Sequence, residues 1–299
     1  MTVERYALDA RTALLLTLPP LFWAGNAVVG RALVGVFPPL ALSFGRWLLA
    51  LVILVPFVWR GLHAQRAALL RQWQPIALLG FTGVACYNTF QYLALQTSPA
   101  TNVTLIAAST PAFVLIAGRL FFGAAVRAAQ WAGAAVSLAG VVWVLAAGDL
   151  ARLAAFAFAP GDLIMLAANA SWTTYTWLLR KHRPDLPLGP FLAAQIAVGA
   201  AAIAPFAALE GALGAARIAC NAGTIAALAY VAILPSIVSF YVWDRGVARV
   251  GALLPVYFAN LTPVFAAVLS GWLLGEAPQP FHIVGLTLIL GGIQLASKR

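Results

Sequence analysis

The sequence predicts an all-α integral membrane protein of ten transmembrane helices, built as two inverted five-helix repeats with both termini cytoplasmic. Composition, an internal repeat and the placement of basic residues predict it. Of 299 residues, 63% are hydrophobic and only 9% are charged, and the mean hydropathy is +0.93. Soluble domains carry roughly 25% charged residues, so this surface is made for lipid. The apolar runs are long and lack a period of two, which selects helices over a β-barrel.

The repeat is read by sliding the chain over itself. An offset of 152 residues lays 100–140 on 252–292 without a gap. It matches Ala107 to Ala259, Thr110-Pro111 to Thr262-Pro263, Phe113 to Phe265, Gly133 to Gly285 and Gly140 to Gly292. Earlier in each half, an offset of 149 matches Trp23 to Trp172 and Arg31 to Arg180. The repeats are residues 1–147 and 160–299 of one integrated membrane domain. An odd number of spans per repeat turns the second copy upside down, the construction of many membrane transporters.

Charge sets the orientation. With the N-terminus inside, the cytoplasmic segments hold Arg5, Arg11, Arg60, Arg66, Arg71, Arg119, Arg127, Arg180, Lys181, Arg183, Arg245, Arg249, Lys298 and Arg299. The outer segments hold Arg31, Arg152 and Arg217, and Arg46 lies within a span. Fourteen against three is the bias that orients membrane proteins. The net charge of +10 is therefore an orientation signal rather than a nucleic-acid footprint, since the basic residues form no patch.

A span needs about 20 apolar residues to cross roughly 30 Å of hydrocarbon. Ten such runs are expected at 12–33, 38–58, 73–95, 101–121, 128–147, 161–180, 189–209, 222–243, 251–273 and 279–297. Turn residues separate them: Pro38-Pro39, Pro99, Gly148, Pro160-Gly161, Pro184 through Pro187, Gly251 and Pro278 through Pro280. The first run follows Arg5 and Arg11 and imitates a signal peptide, but it leads straight into further spans and reads as a retained helix. Trp59, Trp73 and Trp272 fall at span ends as interfacial anchors.

Within the spans, polar and aromatic residues gather on single faces. The first holds Trp23 and Asn26; the third holds Tyr87, Asn88, Gln91 and Tyr92; the sixth holds Asn169, Trp172, Tyr175 and Thr176. The eighth holds Ser236, Ser239, Phe240 and Trp243, and the ninth Tyr257 and Asn260. Residues at i, i+3, i+4 and i+7 share a helix face, and amides avoid lipid, so these faces point inward. They are either interhelical glue or the lining of a cavity for a zwitterionic solute with an apolar side chain. Spread over five helices, they favour the cavity. Arg46, near the middle of the second span, either holds a substrate carboxylate or caps helix carbonyls.

The fourth and ninth spans share a Thr-Pro pair. A proline inside a helix removes a hydrogen bond and pushes on the carbonyl four residues back, which is Ala107 for Pro111 and Ala259 for Pro263. The neighbouring Thr110 and Thr262 hydroxyls are placed to satisfy the freed carbonyl. The pair is a hinge beside a translocation path or a fixed bend.

Together these residues resemble the EamA-type branch of the drug/metabolite transporter superfamily. The resemblance rests on two five-helix copies, each opening with a Trp/Asn or Trp/Tyr stretch that runs toward Arg31 or Arg180. It rests also on ThrProAlaPhe at 110–113 before Gly123 and ThrProValPhe at 262–265 before Gly275-Glu276. Within that branch the chain looks like the YddG-like aromatic amino-acid exporters of the bacterial inner membrane. The resemblance implies a central cavity lined by helices one, three, four, six, eight and nine, and a lipid-embedded carrier of small molecules. It leaves the oligomeric state open, with a monomer sufficient.

Absences narrow the function. There is no HExxH, GxSxG or P-loop, no metal spacing and no cofactor motif, and Cys86 and Cys220 are isolated. Asp162, Asp244 and Glu276 are expected at span ends, with Glu4, Asp9, Asp149, Asp185 and Glu210 in termini or loops. With no carboxylate at mid-membrane, facilitated diffusion or exchange is expected in place of proton antiport. Export of amino acids by alternating access is the reading; proton-coupled export of other metabolites or drugs, or nucleotide-sugar exchange, is the alternative.

Overall fold

A computed structural model describes residues 8–155, 157–214, 221–274 and 279–298. Glu4, Arg5, Arg217, Cys220, Gly275, Glu276, Pro278, Arg299 and the side chain of Trp272 lie outside the described residues. Long helices make up most of the described residues, with short helical turns at Arg66–Arg71 and Leu150–Ala155 between them. In order the long helices are α1 (Ala10–Leu16 and Leu18–Ala32), α2 (Pro39–Ala64), α3 (73–97), α4 (Ala100–Ala108 and Thr110–Phe121) and α5 (Ala128–Leu145). Then come α6 (Pro160–His182), α7 (Leu188–Ala212), α8 (Ala222–Val250), α9 (Pro255–Ala259 and Thr262–Leu274) and α10 (Pro280–Ser297). Among the described residues, seven helices are long and apolar enough to cross a membrane: α1, α2, α4, α5, α7, α8 and α10. Two of the others, α3 and α6, differ for a physical reason: they carry interior amides. Large apolar side chains such as Leu14, Val52, Phe57, Phe81, Leu120, Leu163, Phe206 and Ile225 stand outward. That is a lipid-facing belt rather than a soluble surface. Trp59 and Trp73 are exposed with it.

Corresponding helices of the two copies pack on each other. α5 and α10 run antiparallel, with Gly133 against Gly292 and Gly140 against Gly285. A β-carbon on Gly133 would stand 2.6 Å from the Gly292 carbonyl oxygen, and one on Gly140 2.8 Å from that of Gly285. Small residues allow such backbone approach, and in lipid, packing rather than hydrophobicity holds helices together. α2 and α7 also run antiparallel, Gly61 facing Pro190 and Gly189 facing Val58. At the far end of that pair, Glu210 accepts from the backbone N–H groups of Leu40 (3.1 Å) and Ala41 (2.7 Å). It caps the free donors that begin α2.

Two departures from regular helix recur as well. α3 holds a π-helical stretch at Gly80–Cys86, and α8 holds another at Ile233–Val238. These are the third helices of the two copies. Pro235 explains the second stretch: lacking an N–H, it leaves the Val231 carbonyl free, and Ser236 Oγ donates to it at 2.6 Å. α4 and α9 are interrupted just before their Thr-Pro pairs, at Ser109 and at 260–261. Thr110 Oγ1 donates to Ala107 O and Thr262 Oγ1 to Ala259 O, both at 2.6 Å. The freed carbonyls are thus satisfied by the hydroxyls that the sequence places beside them.

The length of α8 corrects one expectation. It continues to Val250, so Asp244 lies inside the helix and is fully buried instead of marking a span end. Asp162 is also buried, at the start of α6, where Ser98 Oγ, Asn102 Nδ2 and the Ala159 N–H all donate to it.

Candidate transport cavity

Three tryptophans from three helices form the centre. Ring centroids of Trp23 (α1) and Trp172 (α6) are 5.4 Å apart, those of Trp23 and Trp243 (α8) 5.3 Å, and those of Trp172 and Trp243 5.2 Å. Tyr87 (α3) adds a ring 4.9 Å from Trp172, and Phe240 one at 5.5 Å. Edge and tilted contacts of this kind stabilise beyond simple burial. The Trp23 indole N–H donates to the Pro235 carbonyl at 3.2 Å, inside the π-helical stretch of α8. Ser171 Oγ donates to the Thr82 carbonyl at 2.7 Å, inside that of α3. Each irregular stretch thus offers a carbonyl to the other copy.

Against this cluster lies a cavity of about 70 Å³, bounded by α1, α3, α4, α6 and α9. Of the residues expected at a site, Trp23, Tyr87, Gln91, Thr110, Trp172, Thr262 and Pro263 line it, with Asn260. Leu95, Val103, Ala107, Ala108 and Ala259 supply apolar wall. Both Thr-Pro breaks therefore border one space. A water needs roughly 10–15 Å³ of such space, so the cavity as it stands suits a handful of waters better than a large solute. Asn260 Nδ2 donates to Ser137 Oγ at 2.8 Å, while its buried Oδ1 has no partner among the described residues.

The other expected residues do not line the cavity, each because a neighbour claims it. Asn169 clamps the break in α4: its Nδ2 donates to Ile106 O (2.6 Å) and Ser109 Oγ (3.1 Å). Pro111 is buried behind Thr110. Tyr257 Oη donates to Gln130 O at 2.8 Å, tying α9 to α5. Ser239 Oγ donates to Leu234 O at 2.9 Å within α8. Trp243 is sealed beneath the other tryptophans, and Tyr175 donates its hydroxyl to Asp244.

Arg46, Asn26 and Asn88 form their own network. Arg46 Nε donates to Ser236 Oγ at 2.6 Å, and Nη1 to Asn88 Oδ1 (2.7 Å), Tyr92 Oη (3.0 Å) and Asn26 Oδ1 (3.2 Å). Its partners are neutral side chains rather than helix carbonyls, and Nη2 has none among the described residues. The guanidinium is fully buried, over the Trp47 ring at 4.8 Å. Asn26 Nδ2 reaches the cavity-lining Gln91 Oε1 at 3.4 Å, so two amides in series, Asn26 and Gln91, link the cation to the cavity. Sequence reasoning missed the π-helical stretches, for which Pro235 and the Gly80/Gly83 pair are the available signals, and it missed the coupling of Arg46 to α8.

Comparison with known proteins agrees with this architecture. A solved crystal structure superposes with a TM-score of 0.76 at 25% identity, covering 97% of each chain. An uncharacterized transporter of Archaeoglobus fulgidus is 29% identical over 98% of this chain and 99% of its own. A probable terminal-alkyne amino-acid exporter of Streptantibioticus cattleyicolor is 28% identical over 75% of this chain and 73% of its own. The aromatic amino acid exporter YddG of Ancylobacter novellus is 28% identical over 77% and 78%. The EamA-like transporter family matches residues 10–146 and again 159–298, so the chain belongs to that family.

Proposed function

We propose that this protein is a secondary carrier that exports amino acids, aromatic ones included, and related small metabolites across the bacterial inner membrane by alternating access. All ten segments cross the membrane in this reading, the copies are inverted, and both termini are cytoplasmic. The antiparallel α5–α10 and α2–α7 pairs support the inversion. α3, α6 and α9 can span despite their polarity because that polarity faces inward.

The observation that carries the substrate reading is Arg46, a buried cation with no carboxylate partner among the described residues, joined to an aromatic cavity through the amides of Asn26 and Gln91. An unpaired charge inside a membrane is costly and marks function. A substrate carboxylate compensates it, while Trp23, Trp172 and Tyr87 take an apolar side chain and the open Asn260 Oδ1 accepts from an ammonium. Two relatives whose names record amino-acid export support the same class. Cavity size supports a carrier over an open pore: solute needs motion to enter, and the paired breaks in α4 and α9 are where the wall bends.

The test is counterflow in proteoliposomes loaded with a panel of unlabelled amino acids. Saturable uptake of labelled substrate, accelerated by the same substrate inside, is expected. Flux that fails to saturate indicates a channel, and recovery of chemically altered solute indicates an enzyme.

A further inference from the structure

Asp244 has no task in the cavity described above, yet it is fully buried in α8, six residues before the end of the helix. One oxygen accepts from Tyr175 Oη of α6, and the other from Gln195 Nε2 of α7 at 3.2 Å. Both donors are neutral, and among the described residues Asp244 forms no ion pair. Arg183, after α6, reaches it by field alone, its guanidinium resting over Phe191 at 5.8 Å. From α1 the neighbouring contact is the apolar Leu16 against Gly246. On α8 itself, Arg245 and Arg249 line a separate small groove with Thr12. Neither that groove nor the aromatic cavity touches the carboxylate. Each carboxylate oxygen is thus held by one neutral donor in a fully buried position.

The repeat gives this cluster a counterpart. The offset of 149 that lays Pro38 on Pro187 and Pro56 on Pro205 also lays Arg46 on Gln195 and Asn26 on Tyr175. The offset of 152 lays Tyr92 on Asp244. The Arg46–Asn26–Tyr92 and Gln195–Tyr175–Asp244 groups therefore occupy equivalent positions in the two copies, one with a fixed positive charge, the other with a removable negative one. Ser236, which holds Arg46, and Asp244 are eight residues apart on α8, or about 12 Å at about 1.5 Å per residue. An arginine cannot shed its charge in such a place, whereas a carboxylate can.

The neighbours suit both charge states. Gln195 Oε1 is buried with no partner among the described residues. Turning the amide over presents Oε1 to Asp244, ready to accept from a protonated Oδ2.

We propose that Asp244 is a proton-binding site, and that through it a proton moving inward is coupled to substrate moving outward. Protonation forms an O–H bond at Oδ2 and removes the negative charge. Two charge-assisted hydrogen bonds then become neutral ones, about half as strong. The tie joining α6, α7 and α8 loosens, and the cytoplasmic end opens. The proton leaves to cytoplasmic water, substrate enters, and the ionised carboxylate closes the tie again behind it. Tyr175 links this event to the cavity, because its ring packs 5.1 Å from that of the cavity-lining Trp172. The coupling rests on the carrier reading; the protonation does not.

The test uses the full-length protein in liposomes that trap a pH-sensitive dye, with L-phenylalanine and L-threonine counterflow measured in parallel. Infrared spectra of the same samples follow the carbonyl band of protonated carboxyl groups as pH is varied through neutrality. Wild type is expected to show a titrating band and substrate-driven proton flux. Asp244→Asn is expected to lose both, and Tyr175→Phe, which keeps the ring, to shift the titration midpoint. Absence of a titrating band, or its persistence in Asp244→Asn, overturns the proton site whether or not any amino acid is carried. A band with counterflow but no proton flux overturns the coupling and leaves the carrier reading intact. Loss of the band without counterflow for any amino acid in the panel supports the site and overturns the amino-acid reading.

Discussion

Gly133 and Gly292 meet so closely that a β-carbon on either would stand 2.6 Å from the carbonyl oxygen of the other. They belong to the fifth helices of the two copies, and the reciprocity of the contact is what an antiparallel pair of equivalent helices produces. In lipid, where apolar surface gives no net drive to associate, this approach is what holds α5 to α10.

Gly133→Leu or Gly292→Leu should therefore wedge the pair apart, at a cost of about 1–3 kcal/mol for overpacking. Gly291, one residue away, has open space where its β-carbon would go, so Gly291→Ala should be silent. Thermal unfolding in detergent, with the monodisperse fraction on size exclusion, checks both. Equal behaviour of the Gly291 and Gly292 variants would refute the packing argument.

Arg46 carries the second prediction. Hydrogen bonds to charged groups contribute about 1.5–3 kcal/mol, or roughly tenfold to hundredfold in affinity. Arg46→Gln should raise the half-saturating concentration of an amino acid by at least about tenfold, and leave that of the corresponding amino-acid amide nearly unchanged. A parallel loss for acid and amide would assign Arg46 to structure, through Ser236, Asn88 and Tyr92. Arg46→Lys keeps the charge without the planar fork, and should fall between the two.

How far these residues could be read from sequence depends on the physics behind each. The Thr-Pro pairs were legible because proline has one covalent consequence, a missing donor, and the hydroxyl that repairs it is the adjacent residue. Trp23 and Trp172 were legible through the repeat. Asn26, Asn88 and Asn169 were recognisable as inward-facing, but an amide at helical spacing reads alike whether it lines a space or serves a neighbour. Only the third dimension assigns Asn26 to Arg46 and Asn169 to the break at Ser109. Asp244 was misplaced because the Asp244-Arg245 pair looks like the edge of an apolar run. The helix carries on past it by turning the carboxylate inward to Tyr175 and the arginine out to solvent.

The third prediction separates a hinge from a fixed bend in α4 and α9. Thr110→Val and Thr262→Val keep the side-chain shape and leave the Ala107 or Ala259 carbonyl without its 2.6 Å donor. Each should cost about 1 kcal/mol. If the breaks flex during transport, the double variant should change turnover by more than its loss of folded protein explains. A lower melting temperature with unchanged turnover per folded molecule would make both breaks rigid scaffold.

The last prediction concerns the tryptophans and divides them by position. Trp23 and Trp172 border the cavity, whereas Trp243 lies beneath them, fully buried. Removing a large aromatic from a core costs about 3–5 kcal/mol, so Trp243→Ala should act on folded yield first and on transport in proportion to it. Trp23→Ala and Trp172→Ala should cut transport more than they cut folded protein in the membrane, because the ring they remove faces the solute. Trp23→Phe isolates the indole N–H, whose bond to the Pro235 carbonyl pins α1 to the π-helical stretch of α8. It should preserve yield and slow turnover, if that contact is remade in each cycle. Initial rates of counterflow, divided by the monodisperse protein in the same membranes, supply the ratio. Equal falls in rate and yield for Trp23→Ala and Trp172→Ala would remove both from the substrate's path.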